Sequence, residues 1–226
     1  MAKTFSIAID GPAGAGKSTI ARRLAQELGF YYVDTGAIYR TVAYFMDILG
    51  VSPKDVDGVE RYIDELTISI EYDDEGIQHM IMNGMDVSND IRTQDISQKA
   101  SLVSAHTVVR DMLLGMQRDV AKRHNVVMDG RDIGTVVLPR ANVKIFLTAE
   151  AEVRAQRRYE ELIAKGQKAN LPQILKEIQQ RDYQDTHREV APLKLARDSI
   201  KLDTSELDID GVISAMKEII AKKVAL

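Results

Sequence analysis

A glycine-rich segment near the start of the chain carries the residue types that bind nucleotide phosphates. It matches the P-loop pattern, in which a glycine, four variable residues, a second glycine, a lysine and a hydroxyl residue follow one another. The segment consists of Gly11, Pro12, Ala13, Gly14, Ala15, Gly16, Lys17 and Ser18. Its backbone N–H groups would face phosphate oxygens, Lys17 would reach the β- and γ-phosphates, and Ser18 would ligate Mg²⁺. The alternative is a glycine turn with a solvated lysine, and we expect Lys17 to be mostly solvated when no nucleotide is bound.

Further polar side chains follow predicted strands. Asp129 comes after an apolar run, where it would organise Mg²⁺ and its waters or, alternatively, pair with a neighbouring arginine. The segment Asp34–Arg40 opens a helix, and Thr35 is placed to cap that helix or to contact a ligand. Because open sheets bind ligands at the carboxyl ends of their strands, we expect Arg40 to face that crevice.

Two groups of charged residues recur at helical spacing, so that the members of each group share one helix face. They are Arg154, Arg157 and Arg158 in the first group, and Arg181, Asp185 and Arg188 in the second. Either group alone is typical of a solvated charged face. In a phosphoryl-transfer protein, however, several guanidinium groups would neutralise the charge of the transition state. The spacing also predicts that Arg181 and Asp185 meet as a pair.

The elements that position these residues alternate between short apolar runs and helical patterns. The runs that predict strands are residues 5–9, 31–33, 126–128, 143–147 and 199–202. Such runs are typical of strands buried on both faces of a parallel sheet. We therefore predict an α/β fold, a doubly wound parallel five-stranded sheet flanked by helices.

One stretch departs from this alternation. Residues 66–87 show a period of two, and Asn83–Gly84 is a strong hairpin signal. We predict a small antiparallel lobe inserted at about residues 63–95. Long insertions are often binding lobes or lids, although a surface hairpin without a functional role is the alternative.

Composition narrows the class of protein. The 226 residues, 45% of them hydrophobic, suit one large domain with a sizeable core. No cysteine occurs, which excludes disulfides and cysteine-bound zinc, and the four histidines lack metal-ligand spacing. The net charge of −4 argues against a general nucleic-acid binder. Met1–Thr4 leads directly into the first strand without a leader, and we expect a soluble, cytoplasmic monomer without membrane or nucleic-acid partners.

Taken together, these segments resemble bacterial cytidylate kinases. The matching segments are Gly11–Thr19, Asp34–Arg40, Asp129–Val137, Arg181–Asp185, Arg188 and Ala191–Leu193. The likeness covers nearly the whole chain, and the inserted lobe looks like the one that distinguishes these enzymes from shorter nucleoside monophosphate kinases. It implies transfer of the γ-phosphoryl group of ATP to CMP or dCMP, giving CDP or dCDP, with Mg²⁺ bound together with ATP.

The resemblance also implies roles for individual residues. ATP would contact Arg157 and the segment Gly11–Thr19, and Ser18 of that segment would ligate Mg²⁺. The cytosine would contact Ser101, Arg110 and Asp132, the sugar Arg181 and Asp185, and the acceptor phosphate Arg40, Arg131 and Arg188. Further residues on the CMP side would be Thr35, Tyr39 and Asp129, with Arg92 as a weaker phosphate candidate. Thr35 stands where some members carry serine. A lid at about residues 150–168 would carry Arg154, Arg157 and Arg158, and the catalytic group would be Lys17, Arg131, Arg154, Arg158 and Arg188.

The chemistry of cytosine agrees with this assignment. Its exocyclic amino group is a donor that suits the carboxylate of Asp132, whereas uracil would leave that carboxylate unpaired, at a cost of about 1–3 kcal/mol or more. No protein nucleophile is needed, because the acceptor phosphate attacks directly. A GTPase would need an Asn-Lys-x-Asp motif, which is missing, and a motor ATPase would normally be larger. Another small-molecule kinase and a non-catalytic nucleotide sensor are the remaining alternatives.

Overall fold

A parallel sheet forms the centre of the structure, a computed structural model that describes residues 4–224. The strands, numbered in chain order, are β1 (Ser6–Asp10), β2 (Tyr31–Asp34), β3 (Ile68–Tyr72), β4 (Gln78–Met82), β5 (Met85–Asp86), β6 (Val126–Gly130), β7 (Val143–Thr148) and β8 (Ile200–Asp203). Five of them form the parallel sheet in the order β2-β6-β1-β7-β8, which confirms the predicted fold class. The predicted lack of a leader concerns Met1–Lys3 and lies outside the described residues.

Helices cover both faces of this sheet. They are α1 (Lys17–Leu28), α2 (Thr35–Ile48), α3 (Val56–Tyr62), α4 (Gln94–Val103), α5 (Thr107–Arg123), α6 (Ala151–Ala164), α7 (Leu171–His187) and α8 (Ile209–Val224). Within residues 4–224, none of these helices is both long enough and apolar enough to cross a membrane.

Neighbouring residues of each central strand enter different hydrophobic cores. Ile7 and its partner Val127 pack with α1 and α8, whereas Ala8 and its partner Met128 pack with α2, α4 and α5. This alternation follows from the pleat of a strand, which points successive side chains to opposite faces. Because both faces are buried, the strands are apolar throughout, as the sequence indicated.

The strands β3, β4 and β5 form a separate antiparallel sheet, as predicted. Asn83 and Gly84 both have positive φ angles, 48° and 83°, as the two central residues of a tight hairpin turn require. Met80 and Met82 of β4 are buried in the core that contains α2 and α4. This small sheet is therefore packed against the main body. Its outer limits at residues 63–95 and the lid at residues 150–168 remain predictions.

Candidate active site

The P-loop connects β1 to α1. Gly11 has to be glycine, because a Cβ at this position would lie 2.0 Å from the carbonyl oxygen of Leu147 in β7. Gly16 precedes α1 with a left-handed backbone, and no side chain in the described part of the chain caps the helix there. The first N–H groups of α1 are thus left for an anionic ligand, which the positive end of the helix dipole also attracts.

Lys17 differs from its prediction. The side chain is buried, not solvated, and Nζ donates a hydrogen bond to the carbonyl oxygen of Pro12 at 2.7 Å. The loop folds back over the first turn of α1, so its own backbone supplies an acceptor. Burial lowers the pKa of Lys17 well below its usual range, and the charge of Arg131 lowers it further. A phosphate at this position would favour the charged ammonium again.

Asp129, at the carboxyl end of β6, accepts hydrogen bonds from two hydroxyl groups. Oδ2 accepts from Ser18 Oγ and Oδ1 accepts from Tyr32 Oη, both at 2.9 Å. Burial raises the pKa of Asp129 to about 6, and the charge of Asp34 contributes in the same direction. Among residues 4–224 no arginine pairs with Asp129, so the alternative of an arginine pair is wrong. A hydroxyl and a carboxylate side by side are hard oxygen donors that fit Mg²⁺.

The start of α2 also differs from its prediction. Asp34, and not Thr35, caps the helix: Asp34 Oδ1 accepts from the Ala37 N–H at 2.9 Å. Thr35 is the first helical residue, and its hydroxyl donates to the carbonyl oxygen of Asp129 at 2.7 Å. The second oxygen of Asp34 forms an ion pair with Arg40 NH2 at 2.9 Å. The cap of α2 therefore also orients Arg40.

Asp185 on α7 forms an ion pair with Arg131, whereas the helical spacing predicted a pair with Arg181. Arg131 Nε lies 2.7 Å from Asp185 Oδ2, and within the described residues Arg181 has no ion pair, while its buried Nε has no hydrogen-bond partner. Burial raises the pKa of Asp185, but the charges of Arg131 and Arg181 outweigh burial and lower it overall. Burial, and then the charge of Arg131, lowers the pKa of Arg181 to about 10. One carboxylate thus faces two guanidinium groups, which leaves positive charge for an anion.

Asp132 lies between two arginines. Arg110 NH2 donates to Oδ2, and Arg188 NH2 lies 3.3 Å from Oδ1. Arg188 also donates to Ser104 Oγ at 3.3 Å and to the carbonyl oxygen of Ala191 at 2.8 Å. Burial raises the pKa of Asp132, although Arg110 and Arg188 oppose that shift. The structure brings Arg188 to the residues expected around the base, although the resemblance implied a phosphate contact for it.

The three arginines of α6 have different surroundings. Arg154 is buried, pairs with Asp182 at 2.6 Å, and donates to the P-loop carbonyl oxygen of Ala13 at 2.8 Å. Arg157 donates to the carbonyl oxygen of Thr204 at 2.5 Å. Arg158 is more exposed and pairs only with Glu161 of its own helix, as far as the described residues show. A solvated charged face is thus the wrong description of Arg154, because α6 lies against the P-loop.

Most of the predicted site residues line one cleft with a volume of about 790 Å³. The predicted site residues that line this cleft are Ala13, Gly14, Ala15, Gly16, Lys17, Ser18, Thr19, Thr35, Tyr39, Arg40, Ser101, Asp129, Arg131, Asp132, Arg154, Arg157, Arg158, Arg181, Asp185 and Arg188. Arg110 does not line it and lies behind Asp132, with its guanidinium 5.6 Å from the ring centre of Tyr39. Arg92 is also outside the lining, and its Nε donates to the carbonyl oxygen of Ser88 at 3.0 Å.

The sequence interpretation missed several residues of this region. Three apolar side chains also line the cleft, and these are Leu207, Ile209 and Val212. Asp10, the last residue of β1, accepts from the backbone N–H groups of Ile133 and Gly134, both at 2.7 Å. It thereby holds the turn after Asp132, and burial raises its pKa to about 6. A carboxylate at the end of a buried strand was the available signal for Asp10.

Comparisons with known proteins agree with this geometry. The family model described as cytidylate kinase matches residues 7–222. A cytidylate kinase of Exiguobacterium sp. is 46% identical over 97% of this chain and 98% of its own length, and one of Carboxydothermus hydrogenoformans is 48% identical over 96% and 97%. The solved shikimate kinase of Bacteroides thetaiotaomicron shares the fold, with a TM-score of 0.50, 16% identity, and coverage of 96% of this chain and 98% of that one. With a P-loop and a cluster of arginines and carboxylates in one cleft, the chain belongs to the cytidylate kinase family.

Proposed function

We propose that this chain transfers the γ-phosphoryl group of ATP to CMP and dCMP, giving ADP together with CDP or dCDP. The observation that carries the proposal is the continuity of one cleft from the P-loop to the group around Asp132 and Asp185. A donor and an acceptor nucleotide bound at its two ends would meet near Lys17 and Arg131. Direct transfer needs such a shared, enclosed site, since water would otherwise accept the phosphoryl group.

The P-loop end suits ATP. The backbone N–H groups at the start of α1 bind the phosphates, and Lys17 exchanges its bond to Pro12 for phosphate oxygens. The apolar residues Leu207 and Ile209 offer a surface for the adenine. Ser18 and Asp129 would hold Mg²⁺ directly or through water, and the ion would supply positive charge that neutralises the phosphates of ATP.

The opposite end suits CMP. Asp132 accepts from the exocyclic amino group of cytosine, supported by Ser101 and by Arg188, while Arg110 holds Asp132 from behind. Asp185 offers an acceptor to the sugar hydroxyls. Arg40, Arg131 and Arg181 carry the positive charge that the acceptor phosphate requires.

The transfer itself needs no covalent intermediate with the protein. An oxygen of the acceptor phosphate attacks the γ-phosphorus, the bond to the bridging oxygen breaks, and its electron pair leaves with ADP. Lys17, Arg131 and the α6 arginines Arg154 and Arg158 stabilise the charge of the transferring group. We further propose that α6 belongs to a lid whose closure excludes water.

Separating the reaction products by chromatography tests this proposal. The purified chain with ATP, Mg²⁺ and CMP should form CDP and ADP in equal amounts, and a Lys17→Met variant should form neither at a comparable rate. ADP formed without CDP would indicate hydrolysis of ATP and would contradict the proposal. Formation of neither product by the folded parent chain would contradict it as well.

A further inference from the structure

The antiparallel sheet contacts the main sheet through side chains at one edge. β2 is the edge strand of the parallel sheet and pairs only with β6 there. On its other side, Tyr72 Oη donates to the carbonyl oxygen of Tyr32 at 3.0 Å. Gln78, the first residue of β4, contacts the backbone of Asp34 twice, so the antiparallel sheet covers the exposed end of β2.

The side-chain amide of Gln78 makes the hydrogen bonds to β2 that a peptide group of a neighbouring strand would otherwise make. The Asp34 N–H donates to Gln78 Oε1 at 2.7 Å, and Gln78 Nε2 lies 3.4 Å from the carbonyl oxygen of Asp34. A primary amide provides one acceptor and two donors, and it can therefore satisfy both backbone groups of a single edge residue. Gln78 itself is buried, with 8% of its surface exposed. The contact is thus shielded from water.

Asp34 connects this contact to the candidate acceptor site. Its backbone is held by Gln78, and its carboxylate caps α2 and pairs with Arg40 NH2 at 2.9 Å. Arg40 lines the cleft, and its buried Nε has no hydrogen-bond partner within the described residues. Asp34 is therefore the only charged residue in the described chain that pairs with Arg40.

We propose that Gln78 is a positioning residue for the acceptor phosphate and acts through Asp34 and Arg40. The antiparallel sheet then sets the orientation of Arg40 in addition to covering the edge of β2. This inference rests on the proposed function, in which Arg40 contacts the phosphate of CMP. It predicts that a change at Gln78, which belongs to the antiparallel sheet and does not line the cleft, alters phosphate affinity more than base affinity.

Isothermal titration without ATP tests the inference, with CMP and cytidine as the two probes. Gln78→Met keeps the length of the side chain but removes the amide. It should weaken CMP about 10-fold, the effect of losing roughly one hydrogen bond to a charged or buried partner, while cytidine changes less than about 2-fold. Tyr72→Phe is the matched control, because it removes a contact between the same sheet and β2 that does not involve Asp34. It should leave the ratio of CMP to cytidine affinity unchanged.

Gln78→Asn, which keeps an uncharged amide on a side chain one methylene shorter, repeats the test with a polar variant in case Gln78→Met does not fold. It withdraws the amide from the Asp34 backbone and should lower the same ratio. Equal losses of CMP and cytidine affinity, or a loss as large in Tyr72→Phe, would overturn the inference and assign the sheet a purely structural role.

Arg40→Ala separates failure of this inference from failure of the proposed function. If Arg40→Ala lowers the ratio and neither Gln78 variant does, Gln78 does not position Arg40, although Arg40 still binds phosphate. If Arg40→Ala leaves the ratio unchanged, the phosphate role of Arg40 is wrong, and the inference fails with it.

Discussion

Arg131 and Asp185 form an ion pair across 54 positions of the chain, with 2.7 Å between Nε and Oδ2. The pair joins the segment after β6 to α7, and both residues line the cleft. A residue proposed for the acceptor phosphate is thus coupled to one proposed for the sugar. Because Asp185 is almost completely buried, its removal would leave the positive charge of Arg131 and Arg181 uncompensated.

Asp185→Ala should therefore affect both binding and discrimination between the two acceptors. The variant loses the acceptor proposed for the sugar and a contact that orients Arg131, and a hydrogen bond to a charged group is worth about 1.5–3 kcal/mol, so kcat/KM for CMP should fall at least about 10-fold. The CMP-to-dCMP ratio of kcat/KM should fall too, because only CMP offers a 2′-hydroxyl, while the KM for ATP stays nearly constant. An unchanged CMP-to-dCMP ratio would favour a purely structural ion pair.

Arg188→Ala provides a comparison variant, because Arg188 directly follows α7, the helix that carries Asp185. Arg188 contacts Asp132 and Ser104 and does not contact Asp185 within hydrogen-bond distance. Because CMP and dCMP carry the same base, its removal should weaken both acceptors about equally and leave their ratio of kcat/KM unchanged. A preferential loss of CMP over dCMP would instead assign Arg188 to the sugar.

The pair of Asp132 and Arg110 should determine the choice of base. Asp132→Ala removes the acceptor that we propose for the cytosine amino group, and Arg110→Ala removes the residue that holds Asp132 from behind. Both variants should lose about 10-fold or more of the preference for CMP over UMP, as expected for an unpaired buried polar group. Steady-state rates with both acceptors provide the measurement, and the KM for ATP serves as control. Parent-like discrimination in both variants would rule out the cytosine assignment.

Lys17→Met should reduce kcat by about 100-fold or more, the usual effect of removing one preorganised donor from a transition state. Because Lys17 bonds only to Pro12 in the described structure, circular dichroism and thermal unfolding should remain close to those of the parent chain. Near-normal kcat in the folded variant would contradict the P-loop assignment.

Asp129 should give stability a dependence on pH. Its folded-state pKa of about 6 lies above its ordinary value of 3.8, so the folded protein binds the proton more tightly than the unfolded chain. The protonated carboxyl of Asp129 therefore adds to the free energy of unfolding. This contribution is complete below about pH 4 and is lost as the pH rises through about 6. The unfolding free energy of Asp129→Asn relative to the parent should therefore rise between pH 4 and pH 6.5 in urea titrations. A difference that stays constant over this range would contradict the raised pKa.

The sequence predicted the local features because they depend on neighbouring residues. The P-loop glycines, the apolar strands and the Asn83–Gly84 turn all have short-range causes and are all present. Pairings across the fold were harder to predict. Helical spacing brought Asp185 within reach of Arg181, but no local pattern could reveal that the segment after β6 delivers Arg131 to the same carboxylate.

Burial was the second property that the sequence could not provide. Lys17 was expected in solvent, yet its own loop supplies an acceptor and covers it. For Arg154 the helical spacing alone was typical of a solvated charged face, yet α6 packs against the P-loop and buries this side chain. Both cases concern long cationic side chains, whose apolar stems allow burial once a carbonyl or carboxylate satisfies the charged end.

The central claim is that one cleft binds ATP together with a cytosine nucleotide. A coupled ADP-release assay that compares kcat/KM for CMP, dCMP, UMP, AMP and GMP as acceptors tests it most directly. The account predicts that CMP and dCMP exceed each of the others by about 10-fold or more, the discrimination expected when the wrong base leaves Asp132 unpaired. Preference for another acceptor, or an ADP release that does not depend on any acceptor, would contradict it.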